Sequence, residues 1–227
     1  MPATEAFDAV KAGLDLVSLP RMNRRAAVDT VVFDFGGVLI DWDPRYVYRT
    51  MFSTSDEMER FLDSVCTPDW NLQMDAGRPF AEGIAELSER HPEYEAEIAA
   101  FWHRWPEMLG DAIPGMFALV ESLREEGYRT FGLTNWSAET FPYALERFPQ
   151  LRWCFDGVVV SGLEGVAKPD PAVFRILMDR YHVVPEQSLY IDDNPANVAT
   201  AGALGFHPHV FVDGDRLRTA LGDLMAR

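Results

Sequence analysis

The chain contains few basic residues, and this scarcity excludes several classes of partner. Of its 227 residues, 20 are Lys or Arg and 36 are Asp or Glu, which gives a formal net charge of −16 at pH 7. Proteins that bind nucleic acids or anionic membrane surfaces use Lys and Arg to neutralise phosphate charge, so we expect neither partner. A small phosphorylated ligand is compatible with an acidic protein, because a metal ion and a lysine can reverse the charge locally.

Cysteines and long apolar runs are also scarce. The two cysteines, Cys66 and Cys154, are far apart and not in a spacing typical of a metal site, which predicts reduced thiols in a cytoplasmic protein. No apolar run approaches the roughly 18 residues that a membrane span requires. Residues 1–19 mix charged and apolar side chains, without the basic start and continuous apolar stretch of a secretory signal. We therefore expect a cytoplasmic location.

The apolar residues that are present suffice for a large core. Hydrophobic residues make up 48% of the chain, and its length allows one large domain or one domain with a smaller insert. In residues 1–28, apolar side chains recur at helical spacing and predict an amphipathic helix before the first strand. This N-terminal extension could pack on the core or contribute to a homodimer.

Helical periodicity dominates residues 45–113. Apolar residues recur there at i, i+3, i+4 and i+7, as in Met58, Phe61, Leu62 and Val65 and again in Ile98, Phe101, Trp102 and Trp105. No strand pattern interrupts these stripes. The spacing therefore predicts an all-helical insert.

The rest of the chain alternates between strand and helix patterns. Strand patterns occur at 129–134, 156–160, 188–191 and 209–212. Alternating strands and helices imply a parallel sheet with helices on both faces. We therefore predict an α/β protein. Its Rossmann-like core, residues 29–44 and 114–227, is interrupted after the first strand by an all-helical cap, residues 45–113.

The first strand pattern ends in a carboxylate. Residues 31–37 read Val-Val-Phe-Asp-Phe-Gly-Gly, so Asp34 follows an apolar run and precedes a glycine turn. A carboxylate at the carboxyl end of a strand lies where α/β sheets bind ligands. Glycines let the backbone approach a small polar substrate closely. Taken alone, the pattern is equally typical of a solvated Asp before a tight turn.

Three later segments also place polar residues at the ends of predicted elements. Thr134 and Asn135 end one strand pattern, and Asp192 and Asp193 end another. Lys168 lies in the run Ala-Lys-Pro-Asp-Pro, in which the prolines stiffen the chain. Taken singly, these residues are as typical of turns, helix caps and exposed lysines as of a binding site.

In this order, the four segments resemble the motifs of the haloacid dehalogenase-like hydrolase superfamily. The resemblance extends from Asp29 to the last predicted strand, and the helical insert lies where C1-capped members of subfamily I carry their lid. The first segment is similar to the Asp-x-Gly variant of a subgroup that includes sugar-phosphate phosphatases. The resemblance therefore implies a hydrolase, first of all a Mg²⁺-dependent phosphatase of a small phosphorylated metabolite.

The resemblance also implies roles for single residues. Asp34 would be the nucleophile, since an aspartyl-phosphate splits phosphoryl transfer into two easier steps. Lys168 would offset negative charge near Asp34 and stabilise the transition state. Together with Thr134 and Asn135, Lys168 would also hold the phosphate oxygens.

Mg²⁺ is the cofactor that the resemblance implies. Its ligands would be Asp34, the backbone carbonyl of Gly36 and Asp193, with Asp192 bound directly or through water. Carboxylate and carbonyl oxygens are the hard ligands that Mg²⁺ prefers. Without a cation, three neighbouring carboxylates would raise the pKa of at least one of them.

One position departs from the family pattern. Gly36 stands where most phosphatases of the superfamily have a second Asp, the general acid that protonates the leaving group and later activates water. General acid–base catalysis is typically worth ~10²–10⁴-fold in rate. The departure leaves open a slower phosphatase, a different acid or another leaving group. Asp41 and Asp43 could approach the site from the following flap, although a polar turn is the more common interpretation.

The sequence is also compatible with two other functions. In a 2-haloacid dehalogenase the carboxylate attacks carbon and a halide leaves, so neither a general acid nor a metal is required. Gly36 is compatible with that reaction, but the acidic pair Asp192 and Asp193 is not typical of it. The missing acid also allows a catalytically impaired binding or scaffold protein, whereas the retained Asp34 and Lys168 argue against one.

Overall fold

A five-stranded parallel sheet forms the centre of the protein. The computed structural model describes residues 28–225, with side chains as far as residue 222. The sheet contains β1 (Thr30–Phe33), β4 (Arg129–Thr134), β5 (Gly157–Val160), β6 (Ser188–Asp192) and β7 (His207–Val210). Their order is β5-β4-β1-β6-β7, and all neighbours are parallel. The strand that carries Asp34 at its end is therefore central.

In the described residues, helices lie between the strands and after the last strand. They are α1 (Arg45–Tyr48), α2 (Ser55–Ser64), α3 (Pro68–Asp75), α4 (Phe80–Arg90), α5 (Glu95–His103), α6 (Met116–Glu125), α7 (Phe141–Arg147), α8 (Ser161–Glu164), α9 (Pro171–Tyr181), α10 (Pro195–Ala203) and α11 (Gly214–Met225). Short 3₁₀ turns connect several of them.

The two faces of the sheet contribute to two apolar clusters. Val31 and Phe33 pack into one cluster with residues of α6, α7 and α11, and Val32 packs into the other with residues of α9 and α10. This alternation follows from the two-residue period of a strand. Helices on both faces of a parallel sheet confirm the predicted α/β fold.

Residues 45–108, here called the insert, are helical and have an aromatic interior. Trp70 and Phe101 pack edge to face, with ring centroids 5.0 Å apart, and Phe101 also contacts Phe80. The helices begin where the sequence supplies caps. Thr54 forms a capping box with Glu57 at α2, and the Thr67 hydroxyl accepts a hydrogen bond from the Trp70 N–H at α3.

The prediction of an all-helical cap as far as residue 113 was wrong for its last residues. Leu109–Ala112 form strand β3, which pairs antiparallel with β2 (Ile40–Trp42). This ribbon connects the insert to the sheet domain. A strand of four residues is too short to show a clear alternation of apolar and polar residues. Its pairing partner also lies far away along the chain, so the sequence gives no local sign of the pairing.

The N-terminal prediction stays untested. Apart from Val28, residues 1–28 lie outside the described residues, so the amphipathic helix and its use in a homodimer stay predictions. In residues 28–225, none of the helices has the length and apolar character needed to cross a membrane.

Candidate active site

The polar ends of three neighbouring strands meet at one edge of the sheet. Asp34 follows β1 directly, Thr134 ends β4 and Asp192 ends β6. Because β1 pairs in parallel with both β4 and β6, their carboxyl ends lie side by side. Ligands bind at such edges in open α/β sheets.

Lys168 joins these strand ends. Its side chain is 0% exposed, and its Nζ lies 2.9 Å from Asp34 Oδ1 and 2.7 Å from Asp192 Oδ2. It also donates a hydrogen bond of 2.8 Å to the Leu133 carbonyl oxygen. Burial acts to lower the pKa of Lys168, but the two carboxylates outweigh it and hold the pKa above its usual range. The ammonium is therefore charged, and it is paired as a buried charge must be.

Asn135 positions Lys168 through its backbone. Its Oδ1 accepts a 2.8 Å hydrogen bond from the Lys168 N–H, and its Nδ2 donates a 2.9 Å bond to the Lys168 carbonyl. The next peptide bond, to Pro169, is cis. Asp170 then caps α9 by accepting a hydrogen bond from the Ala172 N–H. The Asn135 amide thus fixes the lysine segment against the end of β4.

The Thr134 hydroxyl has no partner among the described residues. Thr134 is 1% exposed, and its Oγ1 makes no hydrogen bond there. A buried, unsatisfied hydroxyl is costly unless a ligand or water binds it. Its place beside Asp34 suits contact with an oxygen of a bound anion.

Asp192 is fully buried and its carboxylate is saturated with hydrogen bonds. Oδ1 accepts from the Asn194 N–H at 2.8 Å and from Asn197 Nδ2 at 3.1 Å, and Oδ2 accepts from the Tyr190 hydroxyl at 2.6 Å and from Lys168. Burial acts to raise the pKa of Asp192, but Lys168 and these hydrogen bonds hold it below the usual range. This carboxylate is better placed to anchor Lys168 than to bind a metal directly.

Three carboxylates form one cluster at this edge. Asp34, Asp192 and Asp193 each offer an oxygen, and these oxygens lie within 4.8 Å of one another. Burial raises the pKa of Asp34 against the opposing effect of Lys168, and burial together with Asp192 raises the pKa of Asp193. One ammonium leaves excess negative charge on the cluster, so the donor set fits a hard divalent cation such as Mg²⁺.

The two glycines after Asp34 differ in the space around them. Gly37 has a φ of +72°, and a Cβ there would lie 2.3 Å from Asp193 Oδ2. Gly37 therefore lets Asp193 approach the loop. A Cβ on Gly36 would meet nothing within 4 Å. Gly36 faces a cavity, so the place of the missing acidic side chain is open.

This cavity, of about 240 Å³, lies between the sheet edge and the insert. The sheet side provides Asp34, Gly36, Gly37, Asn135, Trp136 and Asp193, and the other side provides Trp42, Asn71, Asp75 and Trp105. Three polar atoms of the lining are buried and lack a hydrogen-bond partner among the described residues. They are Trp42 Nε1, Trp136 Nε1 and Asn71 Oδ1. Each would gain a partner if a ligand or a water reached it.

Asp75 in this lining was missed by the sequence reasoning. It ends α3, and its Oδ2 accepts a 2.9 Å hydrogen bond from Asn71 Nδ2. Burial raises the pKa of Asp75 to about 7, although a hydrogen bond from the Ser137 N–H and the Lys168 charge act to lower it. The sequence offers no signal for this, because the position of Asp75 depends on how α3 packs against the sheet domain.

The flap acids that the sequence raised as alternatives lie elsewhere. Asp41 accepts a hydrogen bond from the Tyr46 hydroxyl, and Asp43 accepts one of 2.9 Å from the Arg45 N–H. Neither is among the described residues that line the cavity beside Asp34. The interpretation of Asp43 as part of a polar turn agrees with its hydrogen bond to the Arg45 N–H at the start of α1.

The order and spacing of these residues agree with a known family. The model of the haloacid dehalogenase-like hydrolases matches residues 28–205. The chain belongs to this family. The resemblance that the sequence motifs suggested is thereby confirmed, and this is a family of hydrolases.

Relatives in the family differ in length and in activity. The chain is 34% identical over 216 residues to acyl-CoA dehydrogenase family member 10 of Mus musculus, a match that covers 86% of this chain and 19% of the mouse protein. It therefore spans about a fifth of that relative. It is 28% identical over 177 residues to the sesquiterpene phosphatase astK of Aspergillus oryzae, covering 77% of this chain and 85% of that protein.

A solved structure supports the fold. A wild-type enzyme of this family from Bacteroides thetaiotaomicron, crystallised with magnesium and inorganic phosphate, superposes with a TM-score of 0.63 and 23% identity. The match covers 84% of this chain and 98% of that one. At this identity the likeness concerns the fold.

Proposed function

We propose that this protein is a Mg²⁺-dependent phosphatase that hydrolyses a small phosphorylated metabolite through an aspartyl-phosphate on Asp34. The observation that carries the proposal is the buried Lys168 ammonium, 2.9 Å from Asp34 and beside three clustered carboxylates. The sesquiterpene phosphatase relative and the magnesium and phosphate bound to the Bacteroides enzyme support it.

Asp34 attacks phosphorus in this proposal. Its carboxylate is held by the Phe35 N–H, which donates a 2.7 Å hydrogen bond to Oδ1, and by Lys168. A carboxylate needs positioning and charge neutralisation more than deprotonation in order to attack a phosphoryl group. The Lys168 ammonium and the free Thr134 hydroxyl would hold phosphoryl oxygens, while Asn135 keeps the lysine segment in place.

Asp34, the Gly36 carbonyl and Asp193 would hold Mg²⁺, and Asp192 would contact it through water. The cation would neutralise charge on the phosphoryl oxygens. Since every oxygen of Asp192 already accepts hydrogen bonds, we assign Asp192 to positioning Lys168.

We further propose that residues 45–113 act as a lid over the sheet domain and select the leaving group. The cavity of about 240 Å³ suits a small substrate. The unpaired Trp42 Nε1 and Asn71 Oδ1 offer one donor and one acceptor to a hydroxylated leaving group. Lids of this kind exclude water and complete the site when they close.

The proposal is tested by a screen of phosphomonoesters with Mg²⁺ and with EDTA. We expect phosphate release that EDTA abolishes and Mg²⁺ restores. Asp34→Asn should abolish turnover, because an amide cannot form the acyl-phosphate. Asp29→Asn makes the same change at an exposed residue just before β1. It is the matched control and should keep full activity.

The absence of an acid at Gly36 favours one competing function, a 2-haloacid dehalogenase. The same screen therefore includes 2-haloacids. Halide release that persists in EDTA, without phosphatase activity, would replace the proposal with dehalogenation.

A further inference from the structure

Phosphate-ester cleavage by Asp34 requires a proton donor that the Asp34 loop does not contain. An alkyl phosphate releases an alkoxide, and general acid catalysis of such a step is typically worth ~10²–10⁴-fold. Gly36 carries no acid and leaves its space open. Any donor must therefore come from elsewhere in the cavity lining.

The lining contains three carboxylates among the described residues. Asp34 is paired with Lys168, and Asp193 belongs to the carboxylate cluster. Asp75 is the remaining one, and it approaches from the insert, across the cavity from the sheet edge.

We propose that Asp75 is the general acid and base of the reaction and that it replaces, from the lid side, the side chain missing at Gly36. The inference rests on the proposed phosphatase function. It places the nucleophile and the proton donor on opposite sides of the cavity, so the site is complete only when the insert is seated on the sheet domain.

Asp75 is fixed to both sides of this junction. Asn71 Nδ2 donates a 2.9 Å hydrogen bond to its carboxylate from within α3. The Ser161 hydroxyl donates a hydrogen bond to the backbone carbonyl of Asp75 and accepts one of 2.9 Å from the backbone N–H of Trp136. These contacts fix the end of α3, and with it Asp75, at the cavity beside the sheet domain, as a positioned proton donor requires.

The charge around Asp75 suits proton transfer near neutral pH. Burial raises its pKa to about 7, against the Ser137 hydrogen bond and the Lys168 charge. Asp34 and Asp193 are the other charged groups of the cavity lining. An acid–base group works best when its pKa lies near the working pH.

Asp75 gives up a proton in the first step and regains it in the second. Asp34 Oδ attacks phosphorus, the bond from phosphorus to the ester oxygen breaks, and the Asp75 carboxyl gives its proton to that oxygen, which leaves as an alcohol. Water then attacks phosphorus and gives a proton to the Asp75 carboxylate. The bond from phosphorus to Asp34 breaks, so inorganic phosphate leaves and both aspartates return to their starting state.

The first test compares Asp75→Asn on two substrates with Mg²⁺ present. For an alkyl phosphate we expect kcat/KM to fall ~10²–10⁴-fold. For 4-nitrophenyl phosphate, whose leaving group needs no proton, kcat/KM should fall less than tenfold. A burst of about one nitrophenolate per site should appear, because water attack stays slow. Asp69→Asn, an exposed carboxylate on the same helix, is the matched control and should change neither rate.

A rescue variant sharpens this test. Gly36→Asp, added to Asp75→Asn, should restore alkyl phosphate hydrolysis at least tenfold, because the open space at position 36 accepts a side chain. A merely structural role of Asp75 would not be rescued from the other side of the cavity.

A measurement on the unmutated protein avoids any folding defect of the variant. Its kcat/KM for the alkyl phosphate should fall as the pH rises above about 7, where Asp75 loses its proton, whereas kcat/KM for 4-nitrophenyl phosphate should not. Equal profiles for the two substrates, or alkyl activity of Asp75→Asn within threefold of the unmutated protein, would overturn the inference. Absence of any phosphatase activity in the unmutated protein would instead contradict the proposed function, and the inference with it.

Discussion

The charged groups at the sheet edge and the polar groups on the opposite side of the cavity differ in how completely they are paired. At the sheet edge, Lys168 and Asp192 are buried and have hydrogen-bond or ion-pair partners at every polar atom described. On the side of β2 and the insert, Trp42 Nε1 and Asn71 Oδ1 are buried without a partner in residues 28–225. Paired groups stay in place without a ligand, whereas unpaired ones gain their partners on binding. The paired charged groups at the sheet edge are therefore preorganised, and under the proposed function the opposite side gains its partners from the leaving group.

The largest effect should follow from removing the Lys168 ammonium, which pairs with the carboxylates at the sheet edge. Lys168→Met leaves Asp34 and Asp192 buried without their cation, and removing one partner of a buried pair typically costs ~3–5 kcal/mol. We expect no measurable phosphatase activity and a Tm lower by roughly 10 °C in thermal unfolding. Arg175→Ala removes an exposed cation from the neighbouring helix α9 and should change neither quantity. A stable and active Lys168→Met would contradict the central role of the ion pair.

The next largest effect should follow from a substitution in the loop after Asp34, at the same sheet edge. Gly37→Ala puts a Cβ 2.3 Å from Asp193 Oδ2 at a φ that favours glycine, so Asp193 must move. We expect activity to fall at least ~10²-fold, as for other misplaced catalytic groups, and Mg²⁺ affinity measured by calorimetry to weaken. Gly36→Ala meets nothing within 4 Å and should lose much less of both. Equal effects at the two glycines would show that Asp193 does not bind the cation.

Asp75 links the two sides of the cavity and should affect stability in a pH-dependent way. Its pKa rises from 3.8 to about 7 on folding, so stability is retained below pH 4 and lost as the pH rises through about 7. Asp75→Asn removes that cost, which is at most about 4 kcal/mol. We expect the Tm of the metal-free variant to exceed that of the unmutated protein by several degrees at pH 8 and to approach it at pH 4. A gap that does not change with pH would mean that Asp75 titrates normally.

The smallest effect should come from the side of the cavity opposite the sheet edge. Trp42→Phe removes a buried indole N–H that has no partner among the described residues, so stability should stay within about 0.5 kcal/mol. If the N–H binds the leaving group, KM for a hydroxylated substrate should rise about 2–10-fold, the equivalent of one hydrogen bond. Steady-state kinetics on the best substrate of the screen measure this. An unchanged KM would show that the indole N–H does not contact the substrate.

The sheet edge of the site could be predicted from the sequence, because its geometry follows from the parallel sheet. Asp34, Thr134 and Asp192 each end a strand pattern, and the ends of neighbouring parallel strands meet at one edge. Lys168 was found through its place in the motif order. Its partners were not: the Asn135 contacts to its backbone and the Tyr190 bond to Asp192 become visible only in the fold.

The opposite side of the cavity could not be predicted, because it depends on how the insert packs. Asp75 ends a short helix, and nothing in the sequence distinguishes it from exposed Asp69 on the same helix. Its place in the cavity lining follows from the packing of α3 against the sheet domain, where the Ser161 hydroxyl, far along the chain, donates to the Asp75 carbonyl. The strand β3 was missed for a similar reason, since its partner β2 is distant in sequence.

The most direct test of the central claim is to identify the residue that carries the phosphoryl group during turnover. Asp75→Asn is mixed with 4-nitrophenyl phosphate and Mg²⁺, quenched rapidly in acid, and its peptides are analysed by mass spectrometry. If Asp34 is the nucleophile, one added phosphoryl group is expected on the peptide that contains Asp34, and none in Asp34→Asn. Release of nitrophenolate without any phosphoryl group on Asp34, in both Asp75→Asn and the unmutated protein, would contradict it.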